Sequence, residues 1–124
     1  MRGSSKSITF VSLPTRNQDK ALEFYPKKLG FVVHTDQPFN DKQRWIELRI
    51  PGADTELVLF TAAGWEERIG SFFNFAFTTD DIDKTYAEFQ AKGVETLGPP
   101  QKEEWGSSLM FKDVDGNQLL VSGR

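Results

Sequence analysis

Between Arg44 and Ile50 the chain alternates, with Ile46, Leu48 and Ile50 on one side and Trp45, Glu47 and Arg49 on the other. A period of two marks a half-buried strand, here closed by Pro51-Gly52. Ser7 to Leu13, ended by Pro14, Phe31 to Thr35 and Glu56 to Thr61 are also rich in β-branched and apolar residues and read as strands. Between the first two the period changes. Behind Asn17 as N-cap, Ala21, Leu22 and Tyr25 fall on one helical face. Pro26 has no N–H to give, which predicts a kink or a looser last turn, and Gly30 closes the segment as a C-cap. Pro38 to Lys42 reads as loop.

After an irregular connection from Ala62 to Ser71 the pattern restarts. Phe72 to Thr78 is a strand, and Asp80 or Asp81 caps a helix whose core face is Ile82, Tyr86 and Phe89. Gly93 ends that helix. Val94 to Leu97, Ser107 to Lys112 and Gln118 to Ser122 are expected as short strands, with Asp115-Gly116 as a hairpin turn before the last. The order of elements is therefore βαβββ twice. At an offset of 64, Thr15 falls on Thr79, Asp19 on Asp83, Lys20 on Lys84, Leu22 on Tyr86 and Tyr25 on Phe89. Gly30 falls on Gly93 at an offset of 63, so the second helix is one residue shorter. The repeated order is the stronger part of this match, since identities are few.

Composition narrows the function. At 124 residues the chain has the length of one domain. The net charge of −3 supplies neither the basic surface that nucleic acid needs nor an attraction to anionic membranes. The absence of cysteine excludes a disulfide framework, a thiolate metal site and a cysteine nucleophile. A single histidine, His34, excludes any site needing two imidazoles from one chain. No apolar run approaches the roughly 20 residues of a membrane helix. Residues 1–6 are expected to be disordered or derived from a tag, with no signal-peptide character. The folded part is expected to be a single domain over 7–124, with modules at about 7–61 and 72–123 and a cytoplasmic location. No serine-nucleophile motif, P-loop or dinucleotide fingerprint occurs.

Several local motifs, taken together, resemble the vicinal oxygen chelate superfamily of glyoxalases, bleomycin-resistance proteins and extradiol dioxygenases. They are Leu22-Glu23-Phe24-Tyr25 followed by Lys28-Leu29-Gly30-Phe31, the helix opening Thr79-Asp80-Asp81-Ile82, and Ala91-Lys92-Gly93-Val94. Trp105-Gly106 then precedes Phe111-Lys112-Asp113-Val114-Asp115-Gly116-Asn117, where valine replaces the family's usual proline. The resemblance covers about Ile8 to Val121. It implies an α+β fold in which two βαβββ modules form a curved eight-stranded mixed sheet around a cleft, with helices outside, and it implies a homodimer.

Strand parity predicts what faces that cleft. If Val11 and Leu13 pack under a helix, Phe10 and Ser12 face inward. Trp45, Glu47 and Arg49 face inward opposite Ile46 and Leu48. Leu57, Leu59 and Thr61 are expected inward if Val58 and Phe60 pack outward. Phe73, Phe75 and Phe77 lie under the second helix, leaving Asn74, Ala76 and Thr78 inward, and Leu119 and Val121 leave Gln118, Leu120 and Ser122 inward. The resemblance places the family's four metal positions at Phe10, Leu59, Asn74 and Leu120. Three of these are hydrocarbon, and one amide oxygen does not hold a divalent cation, so neither metal nor cofactor is expected.

The resulting expectation is a metal-free protein that binds an apolar or aromatic small molecule. Phe10, Ser12, Trp45, Glu47, Arg49, Leu57, Leu59, Asn74, Leu120 and Ser122 form the predicted binding set. Arg49 offers a planar fork for an anionic group, or else pairs with Glu47. Trp45 and Trp105 offer stacking faces, or else pack in a core or interface. One alternative is a lyase, isomerase or dioxygenase, working through displaced metal ligands or through acid–base catalysis by Glu47 or His34. Another is an interaction module whose cleft is filled by its own side chains.

Overall fold

The computed structural model describes residues 3–123. Met1, Arg2 and Arg124 lie outside the described residues, and with them the first part of the expectation for residues 1–6. The structure is α+β and divides into two compact units, one ending at Glu67 and the other beginning at Arg68. In the first unit, β1 (Phe10–Leu13), α1 (Gln18–Leu29), β2 (Val32–Pro38), β3 (Arg44–Arg49) and β4 (Glu56–Leu59) build a sheet of order β1-β4-β3-β2. In the second, β5 (Phe72–Thr79), α2 (Ile82–Lys92), β6 (Gln101–Glu103), β7 (Gly106–Lys112) and β8 (Gln118–Gly123) build a sheet of order β5-β8-β7-β6. Each sheet is mixed: β1 runs parallel to β4 and β5 parallel to β8, while the remaining pairs are antiparallel.

Both helices begin with the same device. Asn17 Oδ1 accepts the Lys20 N–H at 3.1 Å, and Asn17 N–H donates to Thr15 Oγ1 at 3.2 Å. In α2, Asp81 Oδ1 accepts the Lys84 N–H at 3.1 Å, and Asp81 N–H donates to Thr79 Oγ1 at 3.2 Å. Side-chain oxygens thus satisfy orphan donors of the first turn. Gly30 and Gly93 close the helices at φ 75° and 73°, a region glycine enters without steric cost. Despite Pro26, α1 runs on to Leu29. Its buried face is Ala21, Phe24 and Tyr25, so Phe24 takes the place expected of Leu22, which is half-buried.

Two strand expectations need correction. Val94 to Leu97 does not form a strand: only Thr96 makes a bridge, to Phe111. The sixth strand is instead Gln101–Glu103, exposed throughout. It lies at the edge of its sheet, where a strand needs no apolar side and polar residues guard the open edge. Likewise β2, at the other sheet's edge, extends to Pro38, a place where the missing N–H is tolerated.

The turn between β7 and β8 is tied from inside. Asp113 Oδ1 accepts the backbone N–H groups of Asp115 and Asn117 at 2.9 and 3.0 Å, while its Oδ2 accepts Asn117 Nδ2 at 3.0 Å. Asn117, fully buried, accepts the Gly70 N–H on Oδ1 at 2.7 Å. Replacing Asn117 with alanine leaves buried donors and acceptors without partners. The expected loss is about 2–3 kcal/mol of stability, readable as a lower urea midpoint with an unchanged m value.

Candidate functional site on the open face of the first sheet

Arg44 shows which face of the first sheet carries α1. Its guanidinium donates to Asp19 at the start of α1 and to Asp36 on β2, both at 2.9 Å. These hydrogen bonds, the one to Asp19 foremost, raise its pKa above the ordinary guanidinium value. Ile46 and Leu48 share Arg44's side of β3. They pair with Leu59 and Leu57 on β4, which pair in turn with Leu13 and Val11 on β1. Leu13, Ile46, Leu48, Leu57 and Leu59 are all at most 1% exposed.

This register corrects the expected orientation of β4. Leu57 and Leu59 lie on the helix side, and Glu56 and Val58 lie on the opposite, open face. Val58 pairs with Ser12 and Glu47, and Glu56 pairs with Phe10 and Arg49. The four apolar residues from Leu57 to Phe60 carry no alternation, so their phase was set by neighbours rather than by their own pattern. Phe10, Ser12, Trp45, Glu47 and Arg49 do share the open face, as parity predicts.

Two groups of side chains meet there. The first is aromatic. Trp45 lies 5.0 Å from Phe60 and 5.6 Å from Phe10 between ring centroids, the latter pair edge to face. Phe39, in the loop after β2, lies 4.7 Å from Phe60. Such offset and edge-on pairs contribute about 0.5–1.5 kcal/mol each beyond area burial. Phe39 is 59% exposed and Phe10 41%, so the cluster keeps apolar area open to solvent.

The second group is polar. His34 occupies an irregularity in β2: Val33 pairs with Leu48 and Thr35 with Glu47, leaving His34 as the extra residue. A bulge of this kind re-aims a side chain that strict alternation would place elsewhere. His34 Nδ1 lies 2.6 Å from Glu56 Oε2 and 3.6 Å from Glu47 Oε2. Glu47 Oε1 accepts the Trp45 indole N–H at 2.8 Å, which links the aromatic and polar groups. Arg49 Nε is 3.9 Å from Glu56 Oε2, so its nearest carboxylate is Glu56 rather than the expected Glu47.

Glu56, Phe60 and Phe39 had no place in the predicted binding set. In the sequence His34 stands alone, as a candidate base. Its convergence with two carboxylates depends on the bulge and on pairing between distant segments, neither of which has a local signal.

In the second sheet, Leu120 pairs with Ala76 and Met110, and Ser122 with Thr78 and Ser108. Leu119 and Val121 are buried opposite them, as parity predicts. Asn74 is exposed, inside a register shift between Phe72 and Ala76. Trp105 is 69% exposed between β6 and β7.

The residues at the positions inferred for the family's metal do not fit such an ion. Phe10, Leu59 and Leu120 have no donor atom, and Leu59 points to the helix side; its open-face neighbours Val58 and Phe60 are hydrocarbon as well.

A family model for the glyoxalase/bleomycin resistance protein/dioxygenase superfamily matches residues 7–121. The chain belongs to that superfamily. It is 35% identical over 116 residues to the protein YetH of Bacillus subtilis, covering 94% of this chain and 97% of YetH. A member of the superfamily from Sphaerobacter thermophilus superposes with a TM-score of 0.86 at 28% identity, over 97% of this chain and 98% of that one. TnmS3, an antibiotic binding protein from Streptomyces sp. CB03234, superposes with a TM-score of 0.83 at 34% identity, over 98% of both chains.

The corrected register has a direct consequence. Leu59→Ala is expected to cost about 2–5 kcal/mol, as for a fully packed leucine, while Phe10→Ala costs about 1 kcal/mol. Paired denaturation curves check the difference; equal losses would contradict the burial of Leu59 against the exposure of Phe10.

Proposed function

We propose that the protein binds an apolar or aromatic small molecule on the open face of the first sheet, and that binding rather than catalysis is its task. The observation that carries this reading is the group of partly exposed rings Phe10, Phe39, Trp45 and Phe60, set beside Glu47 and Arg49. A flat ligand gains area from the rings and orientation from the polar pair, the usual composition of a small-molecule site. The antibiotic-binding role of TnmS3 supports the reading, as does the hydrocarbon at the positions inferred for the family's metal. Asn74, Leu120 and Ser122, all in the second sheet, are proposed as small-molecule contacts of that unit taken by itself. Leu57 and Leu59 leave the binding set, because they are core residues. Membership of the family supports a further proposal, that the protein is a cytoplasmic homodimer.

Among the described residues, no helix is long and apolar enough to cross a membrane. The opposing reading is catalysis by Glu47 or His34, and the 2.6 Å approach of His34 to Glu56 is the observation in its favour.

Thermal melting against a panel of aromatic and peptide antibiotics tests the binding reading. A ligand at a hundred times its Kd stabilises by about 2.7 kcal/mol, which raises the Tm of a domain this size by about 10 °C. Trp45→Ala is expected to fold and to lose most of that rise. If no compound in a broad panel moves the melting temperature, the proposal fails. Sedimentation at micromolar concentration is expected to give twice the monomer mass, and a monomer there would rule out the homodimer.

A further inference from the structure

We propose that His34, Glu47 and Glu56 form a binding site for a divalent transition-metal cation such as zinc or cobalt, on the open face of the first sheet. Three adjacent strands each deliver one donor: the bulge of β2, the middle of β3 and the first residue of β4. One imidazole nitrogen and one oxygen from each carboxylate lie within 4.8 Å of one another. Around a tetrahedral ion with bonds of about 2.0–2.2 Å, donor atoms stand about 3.3–3.6 Å apart. The His34–Glu47 separation of 3.6 Å already meets this, and the His34–Glu56 separation of 2.6 Å must open by about 1 Å. Rotation of a glutamate side chain supplies that movement.

The surroundings fit a cation. A single imidazole N–H can serve only one carboxylate at a time, yet two carboxylates converge on Nδ1; a dication serves both. The Trp45 indole holds Glu47 Oε1 and leaves Oε2 turned toward His34, the kind of outer contact that orients a metal ligand. Besides His34, Arg49 is the one basic side chain among the described residues that pairs with these carboxylates, at 3.9 Å from Glu56. Arg49 is 61% exposed and can turn to water when the ion arrives. The His34 side chain is 41% exposed, which leaves an entry path and an open coordination position. One imidazole with two carboxylates suits zinc, cobalt, nickel, manganese or iron better than calcium or magnesium, which favour all-oxygen shells.

This site does not depend on the ligand-binding reading. The test uses the full chain, free of any histidine tag and treated with chelator. Cobalt chloride is followed by visible absorption and zinc sulfate by calorimetry. One ion per chain is expected to bind with micromolar affinity, and E47Q and E56Q are each expected to weaken binding at least tenfold. Both variants are expected to keep the wild-type circular dichroism spectrum, because glutamine preserves the shape of glutamate. W45F tests the orienting bond and is expected to lower affinity by a few-fold. No saturable binding up to about 1 mM of either metal, or binding that survives unchanged in both glutamine variants, would overturn the site. If aromatic ligands still raise the Tm in that case, the binding reading stands and only the metal site falls.

Discussion

The pairing of β3 with β4 decides what this protein presents to solvent. With Ile46 opposite Leu59 and Leu48 opposite Leu57, four hydrocarbon side chains stack on the α1 side of the sheet. The same register sets Glu47 beside Val58 and Arg49 beside Glu56 on the other side. A slip of one residue in β4 would turn Glu56 toward the apolar α1 side and take both leucines out of register with Ile46 and Leu48. Burying each leucine contributes roughly 1.5–3 kcal/mol, and an unpaired buried carboxylate costs several more, so the register is held firmly. The open face, with its rings and its cluster of carboxylates and imidazole, is a consequence of that hydrophobic choice.

Each unit repeats one solution to starting a helix after a parallel-paired strand. A threonine at the strand's end receives the N–H of the cap residue, and the cap's oxygen receives the N–H three residues on. Thr15, Asn17 and Lys20 do this in α1; Thr79, Asp81 and Lys84 do it in α2. The offset of 64 that aligns the two halves is therefore carried by hydrogen-bond geometry, which explains why it persists with so few identities elsewhere. Both cores mix aliphatic and aromatic side chains: Leu13, Ile46, Leu48, Leu57 and Leu59 with Phe24, Tyr25 and Phe31 in the first unit, and Leu109, Leu119 and Val121 with Phe77, Phe89 and Phe111 in the second.

Much of the fold was legible in the sequence because its signals are local. Asn17, Gly30, Asp81 and Gly93 mark helix ends by backbone chemistry that needs no partner, and the alternation of β3 reveals its two faces unaided. What was hidden depended on neighbours. β4 is apolar without interruption, so only its pairing gives it a phase. β6 is polar on both faces because it is an edge. His34 reaches Glu47 and Glu56 through an extra residue in β2, and no pattern of hydrophobicity announces a bulge. Trp45, Glu47 and Arg49 were found as open-face residues, whereas Glu56 and the aromatic partners Phe39 and Phe60 were not, because they join the site through tertiary proximity.

The central claim is that the open face of the first sheet is the surface where the protein meets its ligand. Proton–nitrogen correlation spectra, recorded while a compound that raises the melting temperature is added, test it most directly. The indole N–H of Trp45, anchored on Glu47, is predicted to shift progressively, together with the backbone amides around Phe10, Glu47 and Phe60. A saturating ligand that leaves these signals in place while moving others would contradict the claim.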